Sequence, residues 1–161
     1  MLRVPRQVLV YVFRYGTGDR GLEFLMLRRT PQFGGFWQGV SGAPERHESD
    51  EEGAIREVEE ETGFAISGSL QQIGFRYELH REDDPDRAQW EGLYGPEVEA
   101  IPEEVYVAAV PREAHPVLAP YEHDAFRWCS FDDALTLLTW ENNRLALIAA
   151  REFIANSAGP T

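Results

Sequence analysis

The sequence contains no lysine, and its positive charge comes from 15 arginines. With 28 aspartates and glutamates, the formal net charge is −13. Proteins that bind nucleic acid usually present a basic face, so this balance argues against a nucleic-acid partner. An acidic protein that acts on a phosphorylated substrate needs a cation between the like charges, so the same balance suggests a metal ion.

Cysteine and long apolar runs are also scarce. Cys129 is the one cysteine, which excludes an intrachain disulfide and suggests a reducing compartment. No segment reaches the ~18 apolar residues of a membrane span, and the short run at 8–13 is typical of a first strand rather than of a signal peptide. We therefore predict a cytoplasmic protein without a membrane partner. Its 161 residues are enough for a single domain, 1–161, and too few for two.

The order of strand and helix patterns predicts a layered α/β fold with a mixed sheet. Runs rich in β-branched and aromatic residues predict strands at 7–15, 22–29, 36–41, 70–79, 104–110 and 125–130. A turn signal at 16–19 joins the first two strands into a hairpin. Helices are predicted at 50–62, from Ser130 onward, and at 142–154. The acidic, proline-containing stretch 80–102 is typical of a long loop, either solvated or folded over a ligand.

The predicted helix at 50–62 has a recognisable signal at each end. Ser49 fits the N-cap, and Glu52 fits the position three residues later that completes a capping box. Gly63 fits the position after the last turn, where the backbone often adopts a positive φ. These two signals define a helix of about three and a half turns.

This helix carries an acidic side that is locally unfavourable. Its apolar residues share one face, which we expect to pack on the core: Ala54, Ile55 and Val58. Glu57, Glu60 and Glu61 share another face, where like charges at this spacing cost roughly 0.2–0.5 kcal/mol per pair. Arg56 can pair with Glu52 and Glu60, which leaves two glutamates uncompensated. The alternatives are a solvated helix face and a site for a hard divalent cation such as Mg²⁺, and the cation better explains the repulsion.

Residues 42–64 carry the pattern G-x5-E-x7-R-E-U-x-E-E-x-G-U, where U is apolar. The segment is identified as a complete Nudix box, the loop-helix-loop of Nudix hydrolases. The resemblance implies a Nudix α/β/α sandwich and cleavage of a diphosphate bond with Mg²⁺, for which Mn²⁺ is a substitute. It implies that Arg56 positions the glutamates, and that the metal ligands of the box are Glu57, Glu60, Glu61, Glu48 and the carbonyl of Gly42. Gly53 stands where the family often has alanine, at a cost of about 0.5–1 kcal/mol.

Segments outside the box resemble the bacterial dihydroneopterin triphosphate diphosphatases, also described as dATP pyrophosphohydrolases. These segments are 25–29, 36–42, 90–98, 121–123, 126–128 and 138–144. The resemblance implies that Glu122 is a further metal ligand or the base that activates water. It implies substrate contacts at Arg29, Ser41, Thr139, Arg3, Gln38 and Trp37.

Several of these residues keep an alternative interpretation. Arg29 would form two hydrogen bonds to phosphate oxygens, or be an ordinary charge at a strand end. Trp37 would contact the ring of the substrate, or belong to the core. Cys129 is predicted to be buried packing rather than a nucleophile. His115 and His123 receive no role.

These expectations describe a Mg²⁺-dependent hydrolase that converts a nucleoside-triphosphate-like substrate to a monophosphate and pyrophosphate. Dihydroneopterin triphosphate and (d)NTPs such as dATP are the first candidates. A broader hydrolase of dinucleoside polyphosphates or nucleotide sugars is the alternative. A nucleotide-binding module without activity is an alternative of another class, but such modules usually lose box glutamates and none is lost here. Formation of a homodimer is left open.

Overall fold

The structure, a computed structural model, describes residues 1–16 and 21–157. Its strands are β1 (Gln7–Tyr15), β2 (Leu22–Arg29), β3 (Trp37–Gln38), β4 (Val40–Gly42), β5 (Leu70–His80), β6 (Ala100–Ala109) and β7 (His123–Cys129). Its α-helices are α1 (Asp50–Thr62), α2 (Trp90–Tyr94), α3 (Phe131–Leu137) and α4 (Glu141–Ser157).

β1 lies at the centre of a mixed sheet. The strand order is β3-β2-β1-β6-β5, with β4 also pairing with β1 and β7 with β2. β1 and β6 run parallel, and the other pairs are antiparallel. The parallel register places Gln7 beside Glu103, and the β2–β7 register places Arg29 beside His123 after a bulge. Both pairs contribute to the site described below.

The side chains of β1 alternate between the two faces of the sheet, so both faces are apolar. Helices cover both of them. The odd-numbered residues from 9 to 13 pack with buried residues of α3 and α4. The even-numbered residues from 8 to 12 pack with Ala54 and Val58 of α1. The predicted α/β fold, a mixed sheet between two helical layers, is confirmed.

The ends of α1 follow the predicted signals. Ser49 Oγ accepts a hydrogen bond from the Glu52 amide at 3.1 Å, and Glu52 Oε1 accepts one from the Ser49 amide at 2.9 Å. Gly63 has a φ of 80°, and its amide donates to the Glu59 carbonyl at 2.8 Å. The capping box and the left-handed conformation of Gly63 therefore define the two ends of the helix. Because the Glu52 side chain is used in the capping box, it does not pair with Arg56, contrary to the expectation from the sequence.

Gly53 is buried where α1 meets the loop before it. A Cβ built on Gly53 would lie 3.0 Å from both Cα and Cβ of Pro44. That distance is tighter than ordinary packing, so alanine would push the loop away from the helix. The close approach gives this glycine a packing reason that offsets its lower helix propensity.

The region around 80–102 is more ordered than predicted. β5 extends to His80 and β6 begins at Ala100, with short 3₁₀ turns and α2 between them. Trp90 and Tyr94 are buried with Ile101 in a third apolar cluster. The loop prediction was wrong here because apolar residues spaced four apart form a small helix that packs on the start of β6.

Three smaller expectations need correction or lie outside the described residues. The predicted strand at 36–41 is two short strands, β3 and β4, separated by one residue. β7 begins at His123, two residues before the predicted strand at 125–130. The predicted turn at 16–19 falls largely on residues outside those described, although the Gly16 amide donates to the Gly21 carbonyl at 2.6 Å.

Within the described ranges, a helix with the length and apolar character of a membrane span is not found.

Candidate active site and metal centre

Arg56 organises the ion pairs along the exposed edge of α1. Its guanidinium donates to both carboxylate oxygens of Glu48, at 2.8 and 2.9 Å. It also donates to Glu57 and Glu60, at 3.1 Å each. The hydrogen bonds from Arg56 lower the pKa of Glu48 to about 2. The predicted pairing with Glu60 is present, and Glu48 takes the place that the sequence had assigned to Glu52.

Gly42, the first glycine of the box, ends β4 against the carboxylate of Glu57. A Cβ built on Gly42 would lie 2.3 Å from Glu57 Cδ, a distance that nonbonded atoms do not reach. The Glu57 side chain is 15% exposed, and its burial raises its pKa while Arg56 opposes that shift. Glycine is therefore required at position 42 to leave room for a partly buried carboxylate.

Glu61, one turn after Glu57, is buried without a partner. It is 1% exposed, and neither of its carboxylate oxygens has a hydrogen-bond donor among the described residues. Burial, together with the nearby carboxylates of Glu57 and Glu122, raises its pKa. A buried carboxylate needs hydrogen-bond donors, a proton or a cation to compensate it, and Glu61 has no such donor among the described residues.

Glu61, Glu122 and His123 form a cluster that can hold a cation. Each offers one ligand atom, and these atoms lie within 4.8 Å of one another. Glu61 comes from α1, whereas the other two come from the residue before β7 and the first residue of β7. The unpartnered oxygens of Glu61 beside a second carboxylate fit a hard divalent cation such as Mg²⁺ or Mn²⁺, which prefers oxygen ligands.

His123 was missed by the sequence reasoning. It is fully buried, with Nδ1 3.5 Å from Glu61 Oε1 and Nε2 3.3 Å from the Gln38 amide nitrogen. Burial and the charge of Arg29 lower its pKa to about 4, so the ring is neutral near pH 7. An amide that donates to Nε2 leaves the ring proton on Nδ1, facing Glu61. The one sequence feature that could have indicated His123 was its position directly after Glu122, a predicted metal ligand.

Arg29 supplies positive charge next to this cluster. It ends β2 opposite His123, and its guanidinium carbon lies 4.8 Å from the centre of the Phe33 ring. Its buried Nε has no hydrogen-bond acceptor among the described residues. An unpaired guanidinium nitrogen beside carboxylates is suited to an anion that arrives together with a cation.

Most of the predicted site residues share one cleft with a volume of about 1180 Å³. Its lining includes the predicted residues Arg3, Arg29, Gln38, Ser41, Gly42, Arg56, Glu57 and Glu122. The cleft continues into a smaller cavity of about 240 Å³, and Gln38, Ser41, Phe36 and Trp140 line both. Phe36 and Trp140 meet edge to face with ring centres 4.5 Å apart.

Five predicted site residues do not line this cleft: Glu61, which is buried beside the lining residue Glu122, and four others. Trp37 packs against the core beside α3, and Thr139 is exposed; within the described residues, neither lines the cleft. The neighbour of Thr139, Trp140, lines it instead. Glu48 and the 58% exposed Glu60 are bound to Arg56 and are not part of the cluster around Glu61.

A second buried carboxylate, Glu103, lines the smaller cavity and was also missed. It is 2% exposed, and Gln7 Nε2 donates to its Oε2 at 2.6 Å. The hydroxyl of Tyr77 donates to its Oε1. Burial raises the pKa of Glu103, and the hydrogen bonds from Tyr77 and Gln7 act in the opposite direction. The sequence showed Glu103 only as one acid in a strand.

The comparison with protein families gives a match to the NUDIX domain over residues 5–150. The chain belongs to the Nudix family. The helix α1 and the loop before it are its Nudix box, and the family match extends from the residues before β1 to within α4.

Three curated relatives of this Nudix chain differ in the share of each protein that the alignment covers. Dihydroneopterin triphosphate diphosphatase of Escherichia coli (strain K12) is 28% identical over 154 residues, 95% of both chains. The asymmetrical bis(5'-nucleosyl)-tetraphosphatase of Rattus norvegicus is 27% identical over 139 residues, 84% of this chain and 83% of that one. An octanoyltransferase of Myxococcus xanthus is 36% identical over 120 residues, but this chain spans only 30% of its length.

Solved structures agree with the Nudix fold. A Nudix hydrolase structure from Listeria monocytogenes has a TM-score of 0.78 at 25% identity, covering 96% of this chain and 97% of that one. The E. coli dihydroneopterin triphosphate pyrophosphohydrolase has a TM-score of 0.74 at 26% identity, covering 97% and 99%. With the family match, these relatives make the chain a hydrolase that acts on phosphoric anhydrides.

Proposed function

We propose that this chain hydrolyses a nucleoside-triphosphate-like substrate to a monophosphate and pyrophosphate, with Mg²⁺ as its cofactor. The observation that carries the proposal is the buried Glu61 carboxylate, whose oxygens have no donor among the described residues, next to Glu122 at the edge of a cleft. A carboxylate in this condition is suited to a cation, and a cation is what an acidic protein needs to bind phosphate.

Glu57, Glu61 and Glu122 are the proposed cation ligands, together with the carbonyl of Gly42, a residue that lies against the Glu57 carboxylate. When bound, Mg²⁺ or Mn²⁺ supplies charge that offsets the phosphate oxygens and acidifies the attacking water. Arg56 holds Glu57 in place through its contact at 3.1 Å, and Glu48 and Glu60 hold Arg56. His123 Nδ1 faces Glu61 Oε1 at 3.5 Å without forming a hydrogen bond, and we assign the ring the task of orienting Glu61 from behind rather than of binding the cation.

The charges along the cleft favour one orientation of the substrate. Arg3, Arg29, Arg46 and Arg56 line only the larger part, together with acids that include the proposed cation ligands Glu57 and Glu122. The smaller cavity is lined by Glu78, Asp83, Asp84 and Glu103 and by no arginine among the described residues. Phosphates are therefore better accommodated in the larger part, where the arginines and a bound cation oppose their charge. We therefore assign the phosphates to the arginine side, with Arg29 as their anchor, and the heteroaromatic ring to the smaller cavity near Gln38 and Ser41.

Dihydroneopterin triphosphate and dATP are the first candidate substrates. The E. coli dihydroneopterin triphosphate diphosphatase matches over 95% of both chains, and the smaller cavity has an aromatic wall, Phe36 and Trp140, that suits one ring. We expect a small-molecule substrate rather than a nucleic-acid polymer. Cytoplasmic localisation and a single domain over 1–161 remain predictions from the sequence.

A dinucleoside polyphosphate is the second candidate. Phe33 and Tyr121 line only the larger cleft, with ring centres 5.4 Å apart, and Tyr121 is 68% exposed. This aromatic pair lies beside Arg29 and offers a surface for a second base. The rat bis(5'-nucleosyl)-tetraphosphatase is a relative over most of both chains.

A substrate panel tests the proposal and ranks the candidates. Dihydroneopterin triphosphate, dATP, diadenosine tetraphosphate and ADP-ribose are compared by kcat/KM with Mg²⁺ and with Mn²⁺, and water labelled with ¹⁸O identifies the phosphorus attacked. We expect hydrolysis of the triphosphates to monophosphate and pyrophosphate. Tight binding without hydrolysis of any compound, with either metal, would show that the chain is a binding module instead.

The matched variants are Glu57→Gln and Glu59→Gln. Glu59 is exposed on the same helix, two residues from Glu57, so its loss controls for helix charge. We expect Glu57→Gln to keep the fold, as measured by circular dichroism, and to lower turnover by about 10²-fold or more, whereas Glu59→Gln stays near the parent. Near-parental turnover in Glu57→Gln contradicts the ligand assignment.

A further inference from the structure

The smaller cavity has a polar floor built around a single carboxylate. Its walls include Leu9, Phe36 and Trp140, and its floor includes Gln7, Ser41 and Glu103. Gln7 Nε2 lies 2.8 Å from Ser41 Oγ and 2.6 Å from Glu103 Oε2, so one amide connects both floor residues. Polar groups held in fixed positions beside apolar and aromatic walls are the usual means by which a site selects a ring by hydrogen bonds.

The orientation of Glu103 is fixed from behind. The Tyr77 hydroxyl donates to Oε1, and Asn143 Nδ2 donates to the same hydroxyl oxygen at 3.1 Å. Tyr11 donates its hydroxyl to the Asn143 carbonyl at 2.8 Å. This chain of donors leads from the core to the carboxylate, so Glu103 cannot rotate without breaking several buried hydrogen bonds.

Glu103 retains unused acceptor capacity. A carboxylate has about four acceptor positions; Gln7 and Tyr77 fill one on each oxygen, and the Ser41 hydroxyl is a third neighbouring donor that lowers the pKa of Glu103. In the described part of the chain, Glu103 makes no ion pair. A buried carboxylate without a cation is costly, and a neutral side chain could serve Gln7 and Tyr77 at lower cost. The remaining acceptors therefore point to a ligand that donates hydrogen bonds.

We propose that Glu103 selects the ring of the substrate by accepting hydrogen bonds from two adjacent N–H donors. A 2-amino-4-oxo pyrimidine ring, as in pterins and guanine, presents a ring N–H next to an exocyclic N–H and matches a pair of acceptors. Adenine presents an N–H next to an acceptor nitrogen, which would face a second acceptor. The inference rests on the proposed function, because it assumes that the ring of a nucleotide-like substrate enters this cavity.

Binding of monophosphates tests this without hydrolysis. GMP, IMP and AMP are titrated into the full chain with Mg²⁺ and followed by calorimetry. IMP lacks only the exocyclic amino group of GMP, so it removes one of the two donors. We expect GMP to bind at least about tenfold more tightly than IMP or AMP, since a hydrogen bond to a charged group contributes about that factor.

Glu103→Gln sharpens the test, because an amide offers one donor and one acceptor. We expect this variant to lose about tenfold in affinity for GMP and to bind AMP at least as well as GMP. Glu104→Gln is the matched control, because the next residue of β6 points to the other face of the sheet and should change neither ratio. If Glu103→Gln does not fold, the comparison of GMP with IMP on the parent chain still decides.

The outcomes separate this inference from the proposed function. Equal affinity for the three monophosphates, or no measurable binding of any at millimolar concentration, overturns the role of Glu103. Preference for GMP in a chain that hydrolyses no triphosphate supports Glu103 and contradicts the proposed hydrolysis. Hydrolysis of triphosphates with no preference among rings supports the function and overturns the role of Glu103.

Discussion

Glu61 and Glu103 are buried to nearly the same degree, 1% and 2% exposed, but their surroundings differ. Among the described residues, Glu61 has no hydrogen-bond donor on either oxygen, and other acids lie beside it. Glu103 has a donor on each oxygen. A carboxylate surrounded by acids suits a cation, whereas one held by neutral donors suits a neutral ring with N–H groups. The comparison shows that burial alone does not reveal what a carboxylate binds.

The strongest test of this difference replaces the unpartnered carboxylate. Glu61→Gln should lower turnover by about 10²-fold or more, because a cation ligand is lost. Without divalent cation, the same variant should raise the free energy of unfolding by about 1–3 kcal/mol near pH 7, since folding of the parent requires protonation of a buried carboxylate and folding of the variant does not. Urea unfolding in EDTA and a steady-state assay with Mg²⁺ measure the two effects.

The gain in stability should depend on pH in a defined direction. The folded-state pKa of Glu61 is raised from its ordinary value of 4.5, so the favourable contribution of its neutral form is complete below about pH 4.5 and is lost as pH rises. The difference between Glu61→Gln and the parent should therefore grow above that pH and shrink on adding Mg²⁺. Glu59→Gln serves as control. A variant less stable than the parent in EDTA at pH 8 contradicts the assignment.

A smaller loss of activity is expected when the neighbour of Glu61 is displaced. Gly42→Ala places a methyl group 2.3 Å from the present position of Glu57 Cδ, so the carboxylate must move. A displacement of about 1 Å in a catalytic group can cost up to about 10²-fold in rate. We expect kcat to fall by about tenfold or more while the fold persists.

The matched control for Gly42→Ala is Gly68→Ala, where a Cβ would meet nothing within 4 Å. This exposed glycine lies in the turn before β5. Equal rates for Gly42→Ala and Gly68→Ala would mean that the position of Glu57 does not limit turnover.

The satisfied carboxylate gives the opposite stability effect. Tyr77→Phe removes a donor from Glu103 and an acceptor from Asn143. We expect the free energy of unfolding to fall by about 1–3 kcal/mol, because buried polar groups lose partners. The change should be the same with and without Mg²⁺. Tyr15→Phe, at a side chain 54% exposed, is the control. An unchanged unfolding midpoint for Tyr77→Phe would show that this network does not hold Glu103.

The smallest expected effect concerns Glu48, a carboxylate that already has its cation in Arg56. Its folded-state pKa is lowered from 4.5 to about 2, so its stabilising contribution is present above pH 4.5 and is lost as pH falls toward 2. Glu48→Gln should lower stability by about 1–2 kcal/mol at pH 7, with the difference disappearing near pH 2. Urea unfolding between pH 2 and 7 measures it. A difference that is constant with pH contradicts the ion pair.

The sequence by itself determined the parts of this protein that depend on local spacing. The caps at Ser49 and Gly63, the core side of α1 and the acidic side all follow from a helical repeat of 3.6 residues, and the box pattern identified the family. The hairpin of β1 and β2 follows from two neighbouring runs rich in β-branched and aromatic residues. The short helix α2 was missed because its apolar pair, Trp90 and Tyr94, stood in a segment with the composition of a loop.

Only the tertiary structure decided which distant residues meet. The β2–β7 register brings His123 to Arg29, and the packing of α1 brings Glu61 to both. The parallel pairing of β1 and β6 places Glu103 beside Gln7, 96 positions earlier in the chain. Strand pairing between remote segments depends on how the whole sheet buries its two faces, which no short window of sequence records. For the same reason, the sequence resemblance assigned substrate contacts to Trp37 and Thr139, but neither residue belongs to the lining of the cleft in the described part of the chain.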